Sequence, residues 1–290
     1  MSGTMQRAKP GLLLWLLMGS LAGMAGPPAA AAAPADLGQI EPAAVQQNRG
    51  AWVVLDARPK ARWQESHVPG ARSFSWEDYT GTDTEGIPYR VLPPKELAVA
   101  LARLGVDERT PVVVYGDAES SWGGEGWSCW ILAWLGHQGP IRLLAGGIQA
   151  WRDGGLPLAQ SDAPFAPVAR YQVNLRPDLG VTTEAIADRG AEWTLIDVRS
   201  TWEWIKGRIP GATHIPWEAF YQGNQRAALA PTALRGLLDE HGVDTRKPVV
   251  FYCTGGIRSA YAWLVYQLSG LPSAHNYEGG MEAWSRRSGG

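Results

Sequence analysis

The sequence predicts an α/β protein made of two tandem domains, each a parallel sheet flanked by helices. Two observations carry this prediction: four sequence blocks occur twice in the same order, and within each copy short apolar runs alternate with helical patterns. Repeated blocks in one order indicate two copies of one domain. Strands that alternate with helices are typical of a parallel sheet covered by helices. Roughly 255 residues follow the N-terminal segment, which is enough for two domains.

The repeat shows a decreasing offset along the chain. The first two block pairs are offset by 141 residues (197 − 56 and 211 − 70), the strand block by 137 (253 − 116) and the last block by 133 (279 − 146). In order, the pairs are VLDAR at 54–58 and LIDVR at 195–199, VPGA at 68–71 and IPGA at 209–212, GVDERTPVVVYG at 105–116 and GVDTRKPVVFYC at 242–253, and GGIQAW at 146–151 and GGMEAW at 279–284. We predict domains at 34–156 and 181–290, joined by a proline-rich extended linker at 157–180.

The first 33 residues have the composition of a signal peptide. Arg7 and Lys9 form a basic start, residues 12–24 form an apolar run, and small residues at 30–35 offer cleavage sites. The apolar run is short and interrupted by glycines, so no stable membrane insertion is expected after cleavage. The sequence therefore predicts export to a periplasm or to the outside of the cell.

Composition excludes several function classes. The chain has 28 acidic and 26 basic side chains and no basic run, so we expect no nucleic-acid partner. Cys129 and Cys253 are too few for a disulfide framework. The five histidines are scattered and no metal-ligand spacing occurs, so we expect neither a metal nor an organic cofactor. Cys129 falls in an apolar helical pattern and is predicted to be a core residue.

The stretch from Val249 to Ser259 carries the candidate chemistry. An apolar run ending at Tyr252 predicts a buried strand, and two glycines separate it from a helix that we expect to begin at Ser259. Such a turn points backbone N–H groups and the positive end of the helix dipole at one place, which suits an anion. Cys253 lies at the mouth of this turn, where a helix N-terminus and the guanidinium of Arg258 favour the nucleophilic thiolate. A cysteine at a strand end is by itself more often a small buried hydrophobe, so the assignment depends on the surrounding loop.

The pattern C-x-x-G-x-R-S, set between a strand and a helix, resembles the active-site loop of the rhodanese family of sulfurtransferases. With D-x-R, P-G-A and G-G-x-x-A-W in both halves, the resemblance covers almost the whole mature chain. It implies two tandem rhodanese-like domains, similar to the two-domain thiosulfate and mercaptopyruvate sulfurtransferases, in which only the C-terminal copy is catalytic. It makes Cys253 the catalytic nucleophile. The substrate-binding residues that it implies are Thr254, Gly255, Gly256, Ile257, Arg258 and Ser259.

Two departures from the pattern bear on function. In the first copy, Gly116 stands at the place of Cys253 and is followed by the acidic residues Asp117 and Glu119, so we expect that copy to be inactive. In the second copy, Thr254 and Gly255 follow the cysteine, whereas the thiosulfate enzymes have two basic residues there. The identity of the sulfur donor therefore stays open.

The resemblance implies a double displacement without a cofactor. The Cys253 thiolate takes sulfur from a small anionic donor such as thiosulfate, 3-mercaptopyruvate or a persulfide, holds it as a persulfide, and passes it to cyanide or a thiol. Arg258 either orients the donor or braces the loop. A periplasmic thiol-reducing protein is a further expected partner, since the compartment is oxidising.

Two functions from other classes compete with this interpretation. A phosphatase on the same fold would have five residues between the cysteine and the arginine, and here only four intervene. The second alternative is a persulfide carrier or binding module that docks on a periplasmic partner. It needs the same reactive cysteine, and the sequence does not separate it from an enzyme.

Overall fold

The computed structural model describes residues 1–3, 34–161, 164–272 and 274–288. The predicted basic start, the apolar run and the cleavage sites up to residue 33 lie outside the described residues. From Pro34 onward, both halves of the repeat belong to one compact unit. Within the described ranges, no helix has the length and apolar character needed to cross a membrane.

The strands are short and the helices amphipathic or buried. The strands are β1 (Leu37–Ile40), β2 (Val53–Asp56), β3 (Arg72–Ser73), β4 (Thr80–Gly81), β5 (Arg90–Val91), β6 (Val112–Tyr115), β7 (Ile141–Leu144), β8 (Thr194–Asp197), β9 (Thr213–His214), β10 (Tyr221–Gln222), β11 (Ala227–Ala228), β12 (Val249–Tyr252) and β13 (Ala274–Tyr277). The helices are α1 (Pro42–Gln47), α2 (Lys60–Glu65), α3 (Pro94–Arg103), α4 (Gly124–Trp134), α5 (Gly147–Asp153), α6 (Thr183–Arg189), α7 (Thr201–Lys206), α8 (Pro231–Glu240), α9 (Ile257–Leu268) and α10 (Gly280–Ser288).

Each half contains a parallel sheet, as the sequence predicts. The first has the order β1-β7-β6-β2-β3 and the second the order β13-β12-β8-β9, and every pairing in both is parallel. In both halves, the central strand that precedes the loop of interest is fully buried, β6 in the first and β12 in the second. The sequences of such strands consist of consecutive apolar residues because helices cover both faces of the sheet.

The Asp of each D-x-R block ends a strand and holds the next loop. Asp197 ends β8, accepts a hydrogen bond from the backbone N–H of Arg199 at 3.0 Å, and pairs with the Arg199 guanidinium at 2.6 Å. Asp56 and Arg58 repeat this arrangement in the first half. These buried pairs are structural, and they fix the chain where it leaves the sheet.

The described part of the predicted linker runs along the first half rather than standing free. The N–H of Val168 donates to the Ala102 carbonyl at 3.0 Å, and the N–H of Asn174 donates to the Leu135 carbonyl at 2.9 Å. Apart from a short 3-10 turn at Pro177–Leu179, it forms no helix or strand. The linker therefore lies fixed against the surface of the first half.

The two halves meet along helices α4 and α9. Gly126 of α4 lies directly against Tyr261 of α9, so close that a Cβ on Gly126 would fall 2.7 Å from the Tyr261 Cβ. The Tyr261 ring stacks on that of Tyr221, with centroids 4.1 Å apart. On another side, Arg90 forms an ion pair across the interface with Glu278. These contacts hold the first half in a fixed position over the second.

The thiol of Cys129 lies within α4 and is fully buried among core residues. Burial raises the pKa of this thiol well above its ordinary value. The prediction that Cys129 is a core residue without chemistry agrees with this placement.

Candidate active site

Cys253 lies at the carboxyl end of the central strand β12. Its side chain is 2% exposed, and the Ser259 hydroxyl lies 3.6 Å from its sulfur atom. The chain turns sharply at Gly256, whose φ of +85° is in the left-handed region, and helix α9 begins at the next residue. The helix was predicted to begin at Ser259, which is two residues too late. The left-handed glycine completes the turn by itself, so Ile257 already has helical geometry.

Three carbonyl groups of the loop accept hydrogen bonds from neighbouring elements. The N–H of Met281 donates to the Cys253 carbonyl at 2.8 Å, and the N–H of Glu282 donates to that of Thr254 at 3.1 Å. The side-chain amide of Asn276 donates to the Gly256 carbonyl at 3.1 Å. The G-G-x-x-A-W block thus supports the active-site loop through the first turn of α10.

Three N–H groups of the loop, by contrast, take no part in this support. Across the described ranges, the N–H groups of Thr254, Gly255 and Gly256 have no protein acceptor. Backbone N–H groups that the fold leaves unpaired around a short turn can surround an anion. They are therefore available to a negatively charged sulfur group on Cys253.

Arg258 is held by a carboxylate that the sequence interpretation did not assign to the site. Its guanidinium donates two hydrogen bonds to Glu203, each 2.8 Å, and a third to the Thr254 hydroxyl at 2.7 Å. Thr254 in turn donates to Glu203 at 2.7 Å. Burial alone would raise the pKa of Glu203, but hydrogen bonds from Arg258, Ser200 and Thr254 outweigh it and hold that pKa well below its ordinary value. Arg258 and Glu203 therefore form a charged pair beside the thiol.

The first half supplies one wall of the cavity above Cys253. The cavity has a volume of about 490 Å³. Tyr89 packs on the loop so closely that a Cβ on Gly255 would overlap its side chain. The residues of the first half that line this cavity are Trp76, Glu77, Tyr89 and Trp122.

The predicted site residues come together around this cavity. Cys253, Thr254, Gly255, Ile257 and Arg258 line it. Gly256 makes the turn beneath it, and Ser259 is buried beside the sulfur. Of the residues that were missed, only Glu203 carried a local signal. It is the fourth residue of the capping box that begins with Ser200. That signal predicts a helix start but not the contact with Arg258.

The corresponding loop of the first half is built differently. Both loops end at a left-handed glycine, Gly123 and Gly256, but seven positions separate Gly116 from Gly123 and only three separate Cys253 from Gly256. The four additional residues account for the change in repeat offset from 137 to 133. A Cβ at Gly116 would overlap the carboxylate of Glu125, so this position has no room for a side chain.

Glu125 occupies the position in the first half that Arg258 has in the second, at the same offset of 133 (258 − 125). It accepts hydrogen bonds from Ser121 at 2.7 Å and, across the interface, from the Tyr221 hydroxyl at 2.8 Å. Burial raises the pKa of Glu125, against the opposing effect of these hydrogen bonds. A carboxyl group thus stands in the first half where the second half has the Arg258 guanidinium.

Replacing Glu125 by Gln should change how stability depends on pH. A carboxyl group whose pKa is raised in the folded state destabilises the protein progressively as pH rises from its ordinary value of 4.5 towards the folded value. Gln has no such titration, so the melting temperature of E125Q should rise relative to that of the parent as pH increases above 4.5. Differential scanning calorimetry of both proteins measures this gain. A difference that does not change with pH would show that Glu125 does not titrate in this way.

Sequence comparison decides the family. The profile of the Rhodanese-like domain matches residues 41–153 and 182–287, which is more than half of the chain. The chain belongs to the rhodanese family. Within the part of this rhodanese that the structure describes, no group of three or more His, Cys, Asp or Glu side chains is placed to hold a metal ion.

Several curated relatives align with this rhodanese over most of their length. The sulfur carrier protein TtuD of Thermus thermophilus is 29% identical, over 77% of this chain and 83% of its own. Human 3-mercaptopyruvate sulfurtransferase is 29% identical, over 80% and 81%. The thiosulfate sulfurtransferase of Azotobacter vinelandii is 29% identical, over 84% and 93%. With two matched copies, these relatives identify the chain as a tandem rhodanese sulfurtransferase, as the sequence predicts.

Solved structures agree on the fold. The 3-mercaptopyruvate sulfotransferase of Escherichia coli superposes with a TM-score of 0.75 at 21% identity and covers 83% of this rhodanese and 98% of its own chain. The anaerobic ergothioneine biosynthesis enzyme of Chlorobium limicola, solved with trimethyl histidine, superposes with a TM-score of 0.72 at 25% identity. It covers 81% of this rhodanese, which spans only 62% of that enzyme's chain.

Proposed function

We propose that this rhodanese moves a sulfane sulfur atom from a small anionic donor to a thiophilic acceptor through a persulfide on Cys253. The observation that carries the proposal is the position of the thiol at the end of β12, beneath three N–H groups that have no acceptor in the described chain. These groups and the N-terminus of α9 would stabilise the negative charge of a bound persulfide.

The reaction has two displacement steps. In the first, the Cys253 thiolate attacks the outer sulfur of a donor such as thiosulfate, the S–S bond of the donor breaks, and sulfite leaves with the electron pair. In the second, an acceptor such as cyanide or a thiolate attacks the outer sulfur of the persulfide, and the Cys253 thiolate is released. After one full cycle the enzyme has returned to its starting state, with Cys253 as a thiolate. The transfer of the sulfur atom therefore requires no cofactor.

We propose that the first copy does no sulfur chemistry of its own. Gly116 carries no thiol, and Glu125 fills the space where a side chain at that position would lie. A buried carboxylate in place of an arginine would also repel an anionic donor. The first copy instead contributes the wall that closes the Cys253 cavity.

Export of the protein is also a proposal. It rests on the basic start, the apolar run and the small residues near position 30 of the sequence. Expression with and without residues 1–33, followed by fractionation and N-terminal sequencing of the mature protein, tests it. Recovery of the full-length form from the cytoplasmic fraction alone would contradict export.

A persulfide carrier is the second candidate function, and the relative named as a sulfur carrier protein favours it. The two candidates differ in turnover. An enzyme forms product continuously with excess donor and acceptor, whereas a carrier releases its sulfur only to its own partner protein.

Intact-mass spectrometry tests the proposal. The mature protein is incubated with thiosulfate or with 3-mercaptopyruvate, and cyanide is then added. We expect a gain of one sulfur atom that peptide mapping places on Cys253, and its loss with cyanide over many turnovers. A persulfide that forms but is discharged only once would favour the carrier, and no adduct on a free thiol would contradict both candidates.

Replacing Arg258 by Ala should slow sulfur loading about ten- to hundredfold, because an unpaired Glu203 carboxylate near the thiol costs roughly 1–3 kcal/mol for an anionic donor. Stability should fall only modestly, by about 1 kcal/mol, because the pair is partly exposed.

The double variant R258A/E203A decides between the two roles left open for Arg258. If Arg258 acts by neutralising Glu203, the double variant regains much of the loading rate. If it orients the donor, the double variant stays as slow as R258A. Stopped-flow loading with thiosulfate measures both.

A further inference from the structure

The charges around the Cys253 cavity do not favour a second anion. The charged residues that line it are Glu77, Glu203 and Arg258, so its net charge is −1. Arg258 donates hydrogen bonds to Glu203 and Thr254 and also interacts with the Cys253 side chain. A persulfide adds one more negative charge. The loaded cavity therefore presents a negative surface to the molecule that removes the sulfur.

Three aromatic rings stand around the same opening. Trp76 and Tyr89 meet edge to face with centroids 6.1 Å apart, and Trp122 stacks on Trp217 at 6.2 Å. Tyr89 and Trp122 are 39% and 51% exposed, and both have positive φ angles, which non-glycine residues adopt at a cost. Large rings that a strained backbone holds in solvent are expected to have a function. These two rings line the cavity above Cys253, so we expect them to contact a bound molecule there.

Aromatic faces next to carboxylates recognise organic cations. A ring attracts a cation through its quadrupole, and quaternary ammonium groups are often bound by several rings together. Here Trp76, Tyr89 and Trp122 supply the rings, and Glu77 lines the same wall as a carboxylate that has no ion pair in the described chain. Anions lack these attractions and would meet repulsion from the persulfide and Glu77.

We propose that the sulfur acceptor of this rhodanese is a small organic thiol that carries an ammonium or trimethylammonium group. The inference rests on the proposed function. The acceptor thiolate attacks the outer sulfur of the Cys253 persulfide, the Sγ–S bond breaks, and the Cys253 thiolate leaves with the bonding pair. The acceptor becomes a persulfide, and no oxidant or reductant is consumed. The cationic group lies against the rings of the first half during this step.

Discharge kinetics test the acceptor class. Protein loaded to the persulfide is mixed with thiocholine, cysteamine, 2-mercaptoethanol or 3-mercaptopropionate, and rate constants are expressed per thiolate. We expect thiocholine to exceed 2-mercaptoethanol by about tenfold, the factor that one or two cation–π contacts provide. We expect 3-mercaptopropionate to be the slowest. Equal rate constants, or a preference for the anionic thiol, would overturn the proposal.

A second measurement needs no persulfide. The free Cys253 thiolate reacts with a methanethiosulfonate reagent to form a mixed disulfide, and methanesulfinate leaves. The trimethylammonium-ethyl reagent should react about tenfold faster than the neutral methyl reagent, relative to their rates with a free thiol. If no persulfide forms but this preference is present, the proposed function fails and the cation site stands. If a persulfide forms and neither measurement shows a preference, the cation site fails alone.

Variants distinguish the effect of the aromatic rings on the preference for cationic thiols from that of a nearby negative charge. Trp122→Ala should lower the preference for thiocholine over 2-mercaptoethanol at least threefold, and Glu77→Gln should lower the preference of both cationic thiols. The matched controls are Trp202→Ala, a 65% exposed ring on α7 outside the cavity, and Glu240→Gln, an exposed carboxylate on α8. Both controls should keep the parent preferences. If Trp202→Ala lowers the preference as much as Trp122→Ala, the cavity rings are not the cause.

Discussion

A protein with Cys253 replaced by Ser should take up no sulfur from thiosulfate or 3-mercaptopyruvate and should form no thiocyanate with cyanide. The hydroxyl has the size of the thiol but cannot form a persulfide, and loss of a covalent nucleophile typically lowers turnover by about 10⁴-fold or more. The fold should be unaffected, because Ser keeps a small polar side chain next to the Ser259 hydroxyl and the Arg258 guanidinium. Thiocyanate formation and intact mass measure the loss, and circular dichroism and melting temperature verify the fold.

Cys129→Ala is the matched control. Its thiol is fully buried in α4, and Ala leaves no polar atom in the core, whereas Ser would leave an unpaired hydroxyl at a cost of about 1–3 kcal/mol. We expect turnover within a factor of about two of the parent, since Cys129 has no contact with the cavity. Loss of turnover in a folded C129A protein, equal to that in C253S, would contradict the assignment of Cys253 as the sole nucleophile.

Gly126→Ala should destabilise the protein where its two halves meet. The added methyl would overlap the backbone of Tyr261, so α4 and α9 must separate where the two halves meet. Overpacking of this kind costs roughly 1–3 kcal/mol, which lowers the melting temperature by about 2–4 °C per kcal/mol for a protein of this size. Trp122 lies two residues before α4, so the cavity wall should shift as well, and sulfur loading should slow.

Gly236→Ala provides the matched control for the interface. Gly236 lies inside the exposed helix α8, and an added Cβ would have no neighbour within 4 Å. Ala is the better helix former by about 0.5–1 kcal/mol, so G236A should melt higher than the parent. Calorimetry compares the two variants. If G126A melted as high as the parent, the close packing of α4 on α9 would not hold the halves together.

The fold was predictable because its signals are local and repeated. Each half alternates short strands with helices, and the matched blocks give one four-strand order twice, as β7-β6-β2-β3 and β13-β12-β8-β9. The position of Cys253 at a strand end also follows from local sequence, since the apolar run, the glycines and the helix are consecutive. The error of two residues at the start of α9 arose because a left-handed Gly256 ends the turn sooner than two glycines indicate.

The residues that surround the catalytic loop could not be predicted from the sequence. Glu203 lies 55 residues before Arg258, and Tyr89 lies 166 residues before the loop residue Gly255 that it covers. Only tertiary packing brings such residues together, and no periodic pattern marks them. The same holds for Trp76 and Trp122, since they belong to the half whose loop has no cysteine. A repeat identifies equivalent positions, but it gives no information on how one copy covers the other.

The longer loop of the first half has a consequence for how a duplicated domain changes its role. The four extra residues between Gly116 and Gly123 end the match to the thiol-bearing loop, and they also carry Trp122 to the opening above Cys253. The longer loop of the first half, which has Gly116 at the position of Cys253, thus shapes the entrance to the Cys253 cavity of the second half. Changes in the length of this loop should therefore alter substrate choice in the second half while its chemistry stays the same.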